Sequence, residues 1–233
     1  MKPKTWLQKV NVAIEGVIFA VKTQRHMRYH LFAALAALIL GLVLNISRIE
    51  FILLCMAIVL VLATEMLNTA IETTVDMISK EFHPRAKNAK DVAAGVVLIA
   101  SLGALTLGYL ILYPALKATL LAGHWQMRKS PNDVVAFVAL AVVIILVIIM
   151  KVLFGKGEPL RGGMPSGHAA VSFSIWTAAW FLTGSVPILF LTLLLAAMVS
   201  YSRWSSGIHR PVEVLAGAVL GAGVTFMFFW LFS

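Results

Sequence analysis

Three carboxylates lie within an apolar run at residues 61–78, which reads V-L-A-T-E-M-L-N-T-A-I-E-T-T-V-D-M-I. Glu65, Asn68, Glu72 and Asp76 are spaced three, four and four residues apart, so an α-helix presents them on one face. Charged groups inside an apolar helix are costly and usually functional. Because carboxylates hold Mg²⁺, and Mg²⁺ usually accompanies nucleotide phosphates, the stripe predicts a site for a cation and a polyanion. A polar seam of buried, paired carboxylates is the structural alternative.

The segment after this stripe is basic and adds candidate contacts to a nucleotide. It reads K-E-F-H-P-R-A-K-N-A-K-D at residues 80–91, and an apolar run follows it. Lys90 lies immediately before Asp91 at the start of that run, where its charge and the dipole of a helix N-terminus favour phosphate. Within the stripe, Glu65 lies at membrane depth and is suited to accept a proton from a lipid hydroxyl group.

Two histidine-containing segments form a second candidate site. Residues 156–168 read K-G-E-P-L-R-G-G-M-P-S-G-H, and residues 202–209 read S-R-W-S-S-G-I-H. Alone, P-S-G-H is explained as a turn that caps a helix. Together the segments predict a phosphate site, because arginine, lysine and the N–H groups of a helix start all bind phosphate. One histidine can attack phosphorus while the other protonates the leaving oxygen.

Membrane helices must position these groups. The chain has 233 residues, of which 61% are hydrophobic and 12% charged, and this composition predicts a polytopic membrane protein. The apolar stretches that predict spans are 31–47, 50–70, 92–113, 133–153, 169–183, 187–201 and 213–232. Segment 5–24 instead predicts an amphipathic surface helix. Its apolar face comprises Trp6, Val10, Ile14, Val17, Ile18 and Val21.

Charge and cysteine content narrow the function classes. The net charge of +9 comes from basic residues at the ends of predicted spans, so cytoplasmic loops and anionic headgroups explain it better than nucleic acid does. The single cysteine, Cys55, lies inside a span and excludes a disulfide framework. Lys9, Glu15 and Lys22 interrupt the N-terminal segment, so we expect no signal peptide there.

The acidic stripe and the basic segment that follows it resemble a known kinase family. E-M-L-N-T-A-I-E-T-T-V-D, E-F-H and A-K-D closely resemble the small prokaryotic diacylglycerol kinase and undecaprenol kinase family, over about residues 5–113. The resemblance implies a trimeric membrane kinase that takes MgATP at the cytoplasmic face and phosphorylates a lipid alcohol. It implies that Glu65 is the general base and Glu72 a Mg²⁺ ligand. It also implies a nucleotide and catalytic site lined by Asn68, Asp76, Glu81, His83, Lys90 and Asp91.

One position departs from that family. The resemblance implies a second metal-binding glutamate just before the first span, and the matching position in V-K-T-Q-R-H-M-R-Y-H is Gln24. An amide oxygen can bind a cation but adds no negative charge, so we expect weaker Mg²⁺ binding. Three outcomes are open: a slow kinase, a kinase that relies on ATP phosphates as metal ligands, or an inactive kinase half.

The histidine segments resemble a second family. P-S-G-H followed by S-R-x5-H is similar to the type 2 phosphatidic acid phosphatase family, over about residues 133–233. The resemblance implies that His209 is a nucleophile forming a phosphohistidine, that His168 is the general acid, and that this half uses no cofactor. The orienting carboxylate, normally aspartate, is Glu213 here. Phosphate binding is implied for Ser166, Gly167 and Arg203, with Lys156 and Arg161 standing in for an irregular first basic motif.

These patterns predict two domains in an all-α integral membrane fold. Residues 1–113 form a kinase-like domain with the surface helix and three spans, 114–132 a linker broken by prolines and a glycine, and 133–233 a phosphatase domain with four spans. Counting spans from a cytoplasmic N-terminal helix predicts both sites at the cytoplasmic face of a bacterial inner membrane. A re-entrant 114–131 segment would reverse this for the second site.

The sequence predicts a bifunctional lipid enzyme with two open substrate assignments. Undecaprenol kinase and undecaprenyl pyrophosphatase activities would both supply undecaprenyl phosphate to the cell envelope without a futile cycle. The alternative joins diacylglycerol kinase to a phosphatidate-type phosphatase in phospholipid metabolism, and a third possibility is an active phosphatase with a structural kinase half. A non-catalytic scaffold or sensor is the main alternative from another class. A transporter is disfavoured, because the charged residues lie at the ends of the predicted spans and do not form a pathway at the membrane midplane.

Overall fold

The structure, a computed structural model, describes residues 6–121, 129–154 and 163–233. Every regular element in these ranges is an α-helix. In chain order the helices are α1 (Trp6–Thr23), α2 (Arg25–Val43), α3 (Arg48–Ile78), α4 (Pro84–Leu121), α5 (Asn132–Phe154), α6 (Gly167–Thr183), α7 (Val186–Ser205) and α8 (Pro211–Phe232). The all-α prediction is confirmed.

Most of these helices are long and apolar enough to cross a membrane. Within the described ranges, six helices meet this criterion, namely α2, α3, α4, α5, α7 and α8. The remaining predicted span, 169–183, coincides with α6, whose 17 residues fall short of the roughly 20 that a crossing usually needs. A multi-pass membrane protein is therefore confirmed, while seven crossings stay a prediction.

Helix α1 occupies the segment predicted to lie on the membrane surface. Its residues Ile18 and Val21, which belong to the predicted apolar face, are buried, and Ile14 is partly buried. Val12 and Phe19, outside that face, are half-exposed. The burial follows the predicted helical periodicity.

The chain divides into two compact units. The N-terminal unit comprises Ala20–Gln126, and the C-terminal unit comprises Met127–Ser233 together with Met1–Phe19. The boundary near residue 126 falls inside the predicted linker, whereas the assignment of the first 19 residues differs from a 1–113 domain. In the N-terminal unit, α3 packs along α4 and against α2. Helix α2 buries one face there, comprising Met27, Leu31, Ala34, Leu38, Gly41 and Leu42.

The length of α3 explains why acidic residues are tolerated near its end. Ser47 caps the helix: its hydroxyl accepts from the Glu50 N–H, and its own N–H donates to the Glu50 carboxylate. With 31 residues, α3 spans about 46 Å, against a hydrocarbon layer of about 30 Å. Its last turns, which carry Glu72 and Asp76, therefore extend beyond the apolar layer.

Helix α4 extends into the segment that the sequence predicts to be the linker between the domains. The sequence predicts that the apolar pattern breaks at Pro114, but α4 continues through Pro114 to Leu121. Proline removes one backbone hydrogen bond, yet membrane helices tolerate it when the freed groups find other partners. Gly123 lies outside the described residues, and Pro131 directly precedes α5.

In the C-terminal unit, α8 packs tightly against α6. A Cβ atom at Gly217 would lie 2.3 Å from the Ser166 carbonyl oxygen, and one at Gly221 would lie 1.9 Å from that of Ala170. Only glycine permits such an approach of two helix backbones. One further turn along α8, the hydroxyls of Thr225 and Ser174 form a buried hydrogen bond of 2.7 Å. These contacts fix the register of α6 against α8.

Candidate active sites

The acidic stripe of α3 forms a polar cluster with the start of α2. The Gln24 amide nitrogen donates to one carboxylate oxygen of Glu72 at 3.2 Å, and the Asn68 amide nitrogen donates to the other at 3.0 Å. Gln24 reaches this position because it precedes α2 in an extended conformation and its side chain makes no cap hydrogen bond. The three residues that the sequence places in or beside a metal site thus lie together.

Two members of the stripe are buried. Glu65 is 3% exposed and Asn68 is 8% exposed, although both are polar. The Asn68 amide oxygen is buried and has no hydrogen-bond partner. Because a buried acceptor without a partner is costly, this atom marks a place where a donor or cation would be stabilised. Glu65 lies seven residues, or about two turns, before Glu72 on the same face.

The end of the stripe is connected to α4 by an ion pair. Lys90 contacts Asp76, which joins the last turns of α3 to the first turns of α4. Asp91 instead pairs with Lys87 of its own helix, and both side chains are exposed. The structure therefore places the predicted phosphate-binding lysine one turn beyond Glu72, next to an acid.

The remaining predicted nucleotide residues lie in the α3–α4 connection. Glu81 and His83 are exposed there. The Glu81 carbonyl oxygen accepts from the Ser79 hydroxyl at 2.9 Å, and His83 Nδ1 accepts from the Arg85 N–H at 3.2 Å. Neither residue takes part in the two hydrogen bonds that form the Gln24–Asn68–Glu72 cluster.

The chemistry of this cluster fits a divalent cation. One carboxylate and two amide groups supply oxygen donors, and Mg²⁺ is usually held by one or two carboxylates together with substrate phosphates and water. In the part of the chain that the structure describes, no group of three or more His, Cys, Asp or Glu residues could hold a metal ion. The cluster is thus a single-carboxylate site, as the glutamine at position 24 predicts.

The C-terminal unit brings the predicted nucleophile and its orienting carboxylate together. His209 follows α7 and is 5% exposed, and its Nδ1 lies 2.9 Å from a carboxylate oxygen of Glu213 in the first turn of α8. Because a carboxylate only accepts, the proton is on Nδ1, and Nε2 carries the free electron pair. The Arg210 N–H donates to the same Glu213 oxygen at 3.2 Å. The additional methylene of glutamate therefore still permits the predicted contact.

Cationic side chains surround this pair. Burial lowers the pKa of His209; the hydrogen bond to Glu213 raises it, and the charges of Lys151 and Arg203 lower it, with a net lowered pKa. His168, the second residue of α6, interacts electrostatically with Arg203, His209 and Lys151. A backbone hydrogen bond of 3.1 Å from the His209 N–H to the Arg203 carbonyl connects the predicted nucleophile to the end of α7. Both histidines therefore belong to one site.

The P-S-G-H turn lies against the same group. Ser166 precedes α6, is 0% exposed, and its hydroxyl has no hydrogen-bond partner. Its N–H donates to the Glu213 carbonyl at 2.9 Å, which attaches the turn to α8. Gly167 is the first residue of α6, where free N–H groups favour an anion. An unpaired hydroxyl at a helix start among cations is suited to phosphate.

One site residue was missed by the sequence reasoning. Lys156 and Arg161 lie outside the described residues, whereas Lys151, in the last turn of α5, acts electrostatically on both histidines. The available signal was its position: Lys151 is the one charged residue of the described chain between Asp133 and Phe154, inside an otherwise apolar span. A cation in such a span is a functional candidate.

Comparisons with known proteins support two families. Residues 11–112 match the family model for prokaryotic diacylglycerol kinase, and residues 156–233 match that for the PAP2 superfamily. Over 101 residues the chain is 41% identical to the undecaprenol kinase of Bacillus subtilis (strain 168), covering 43% of this chain and 82% of that protein. No solved structure matches the chain.

Diacylglycerol kinases of several bacteria also match the N-terminal half. The protein from Synechocystis sp. is 39% identical over 102 residues, covering 43% of this chain and 58% of the relative. The protein from Haemophilus influenzae is 34% identical over 94 residues, covering 40% of this chain and 80% of the relative. Through residues 11–112 the chain belongs to the prokaryotic diacylglycerol kinase family, and it carries a PAP2-superfamily domain at residues 156–233.

Proposed function

We propose that this protein is a bifunctional membrane lipid enzyme, with an ATP-dependent lipid kinase in its N-terminal half and a histidine-dependent lipid phosphatase in its C-terminal half. The observation that carries the proposal is the C-terminal site, where His209 and Glu213 are hydrogen-bonded beside His168, Arg203 and Lys151. The Gln24–Asn68–Glu72 cluster and the identity to named kinases support the other half.

In the kinase half, a lipid hydroxyl oxygen attacks the γ-phosphorus of ATP. The bond between that phosphorus and the bridging oxygen of ADP breaks, and the hydroxyl proton passes to the Glu65 carboxylate. The position of Glu65 in the apolar part of α3 supports this role, because a lipid hydroxyl approaches from the membrane. Lys90 contacts the phosphates, either by breaking its ion pair with Asp76 or while keeping it.

The proposed cation is Mg²⁺. When bound, it supplies positive charge that neutralises the nucleotide phosphates. Glu72 and the amide oxygens of Asn68 and Gln24 would hold it.

In the phosphatase half, His209 Nε2 attacks the lipid-bound phosphorus. The bond to the leaving oxygen breaks, and His168 gives that oxygen a proton. Water then attacks the phosphohistidine while His168 accepts a proton, which releases inorganic phosphate and restores His209. Arg203, Lys151 and the Ser166–Gly167 turn hold the phosphate, and the charge of the phosphate favours the protonated form of His168 beside these cations.

We propose undecaprenol and undecaprenyl diphosphate as the two substrates. Each reaction then yields undecaprenyl phosphate, so the two halves supply one carrier without consuming each other's product. The undecaprenol kinase of Bacillus subtilis, at 41% identity, supports the first substrate. The second candidate is diacylglycerol kinase with phosphatidate-type phosphatase, which the relatives from Synechocystis and Haemophilus support.

A lipid screen on the purified full chain tests this function. Undecaprenol, diacylglycerol and their phosphates are supplied with and without MgATP, using wild type, Glu65→Gln and His209→Ala. Glu15→Gln on the exposed face of α1 and His26→Ala on α2 are matched controls. Phosphate release from the monophosphate as fast as from the diphosphate contradicts the substrate assignment, and wild type without either activity supports the scaffold alternative.

We further propose that both sites face the cytoplasm, in the inner membrane of a bacterium, and that the kinase half forms a trimer. Cysteine labelling tests the first proposal in a Cys55→Ala background. Ser79→Cys and Ser206→Cys should be protected from an impermeant reagent in intact cells, and Ser185→Cys at the opposite end of α7 should react. Labelling of Ser206→Cys from outside contradicts a shared face.

A further inference from the structure

Both oxygens of the Glu72 carboxylate accept hydrogen bonds from amide groups. One of its oxygens accepts from the Gln24 amide at 3.2 Å, and the other accepts from the Asn68 amide at 3.0 Å. A second acid at position 24 would instead repel Glu72, and only the Asn68 amide would still donate to the Glu72 carboxylate. Glutamine thus stabilises the cation-free form of this cluster.

The same cluster contains an acceptor without a partner. The Asn68 amide oxygen is buried and unpaired, while its amide nitrogen is engaged by Glu72. A buried, unpaired oxygen next to a carboxylate suits a cation, and Asn68 is only 8% exposed. With one negative charge in the cluster, however, the protein alone offers a dehydrated Mg²⁺ little compensation.

We propose that the cation site of this chain is conditional on nucleotide. In the absence of nucleotide the Gln24 amide takes the place of the cation at Glu72. Phosphate oxygens then provide the charge that position 24 lacks, so the cation enters with the nucleotide and its ligands include Asn68 Oδ1 and Glu72. This inference rests on the proposed kinase function.

Direct cation binding tests the proposal independently of turnover. Mn²⁺ binding to the purified full chain is measured by electron paramagnetic resonance, with and without a non-hydrolysable ATP analogue, and thermal unfolding is followed in parallel because a bound cation stabilises the fold. Wild type should bind Mn²⁺ weakly alone and at least about tenfold more tightly with the analogue. Gln24→Glu should bind Mn²⁺ alone at least about tenfold more tightly than wild type.

Three further variants separate the effect of added charge from the effect of losing the Gln24 amide. Gln24→Leu removes the amide without adding charge and should not gain affinity for Mn²⁺ alone. Asn88→Asp makes the same amide-to-acid change at an exposed position of α4 and should behave as wild type. Asn68→Asp adds charge beside Glu72 and should repeat the gain if Gln24→Glu does not fold.

The outcomes distinguish this inference from the function on which it rests. Wild type that binds Mn²⁺ alone as tightly as Gln24→Glu overturns the inference, and so does an equal gain in Gln24→Leu or Asn88→Asp. If no variant binds the nucleotide analogue, the proposed kinase function is wrong, and the conditional site is overturned with it. Strong nucleotide binding without any change in Mn²⁺ affinity overturns the inference alone.

Discussion

The N-terminal unit takes its stripe of site residues from one face of α3, whereas the C-terminal unit assembles its site from the ends of α5, α6, α7 and α8. Positions four apart on one helix are adjacent whatever surrounds them. The ends of four helices meet only if their packing is correct. The acidic stripe of the first site therefore depends on local sequence, whereas the second site depends on the register of α6 and α8.

The two sites also carry opposite charge. Glu65, Glu72 and Asp76 make the first acidic, so a polyanion needs a cation to approach it. Lys151 and Arg203 make the second basic, so it can hold phosphate directly. In the proposed functions, one chemical group, phosphate, is therefore accommodated in two ways within one chain.

The largest expected effect is the separate loss of each activity. His209→Ala should lower phosphatase activity by at least about 10³-fold and leave ATP-dependent labelling of the lipid alcohol unchanged, because it removes only the attacking nitrogen. Glu65→Gln should do the reverse. Parallel assays of both reactions on the same purified samples check this. A variant that loses both activities would show that the two sites are not independent.

Removal of the basic side chain on α5 should have the next largest effect. Lys151→Met should lower phosphatase kcat/KM by about 10²-fold, because a preorganised cation near the transferred phosphate is lost. Lys151→Arg should retain part of the activity, since it keeps the charge but changes its shape. Lys117→Met, at an exposed position of α4, is the matched control. Equal activity of Lys151→Met and wild type would exclude Lys151 from the phosphate site.

The architecture explains what the sequence could predict. The acidic stripe was predictable because its spacing is local, and the helices α2 to α5 coincide with predicted spans. Lys151 was missed because nothing near it in sequence indicates that the end of α5 meets His168 and His209. Continuation of α4 past Pro114 was missed because helix packing, rather than propensity, decides whether proline ends a membrane helix.

Removal of the orienting charge should give a smaller effect and a shift in pH dependence. Glu213→Gln should lower phosphatase kcat about 10- to 100-fold, as the loss of an orienting partner commonly does, with little change in KM. His209 attacks only when neutral, so activity falls as pH decreases through its pKa. The Glu213 hydrogen bond raises that pKa. The negative charge of Glu213 also raises that pKa, so its removal should move the acidic limb of the kcat/KM profile to lower pH; a move to higher pH contradicts this role.

The smallest expected effect tests whether the second site depends on helix register. Thr225→Val removes the 2.7 Å hydrogen bond to Ser174, which joins α8 to α6, and should lower the unfolding free energy by about 0.6 kcal/mol. Thr177→Val is the matched control, because that hydroxyl donates to Phe173 of its own helix at 3.0 Å. Denaturation in sodium dodecyl sulfate measures both. Together with the Gly217 and Gly221 contacts, this bond joins α6 to α8 in the C-terminal unit. Thr225→Val should therefore also shorten the half-life of phosphatase activity on heating and leave the half-life of kinase activity unchanged. Equal effects of the two threonine variants would mean that the Thr225–Ser174 hydrogen bond does not help to hold the histidine site in register.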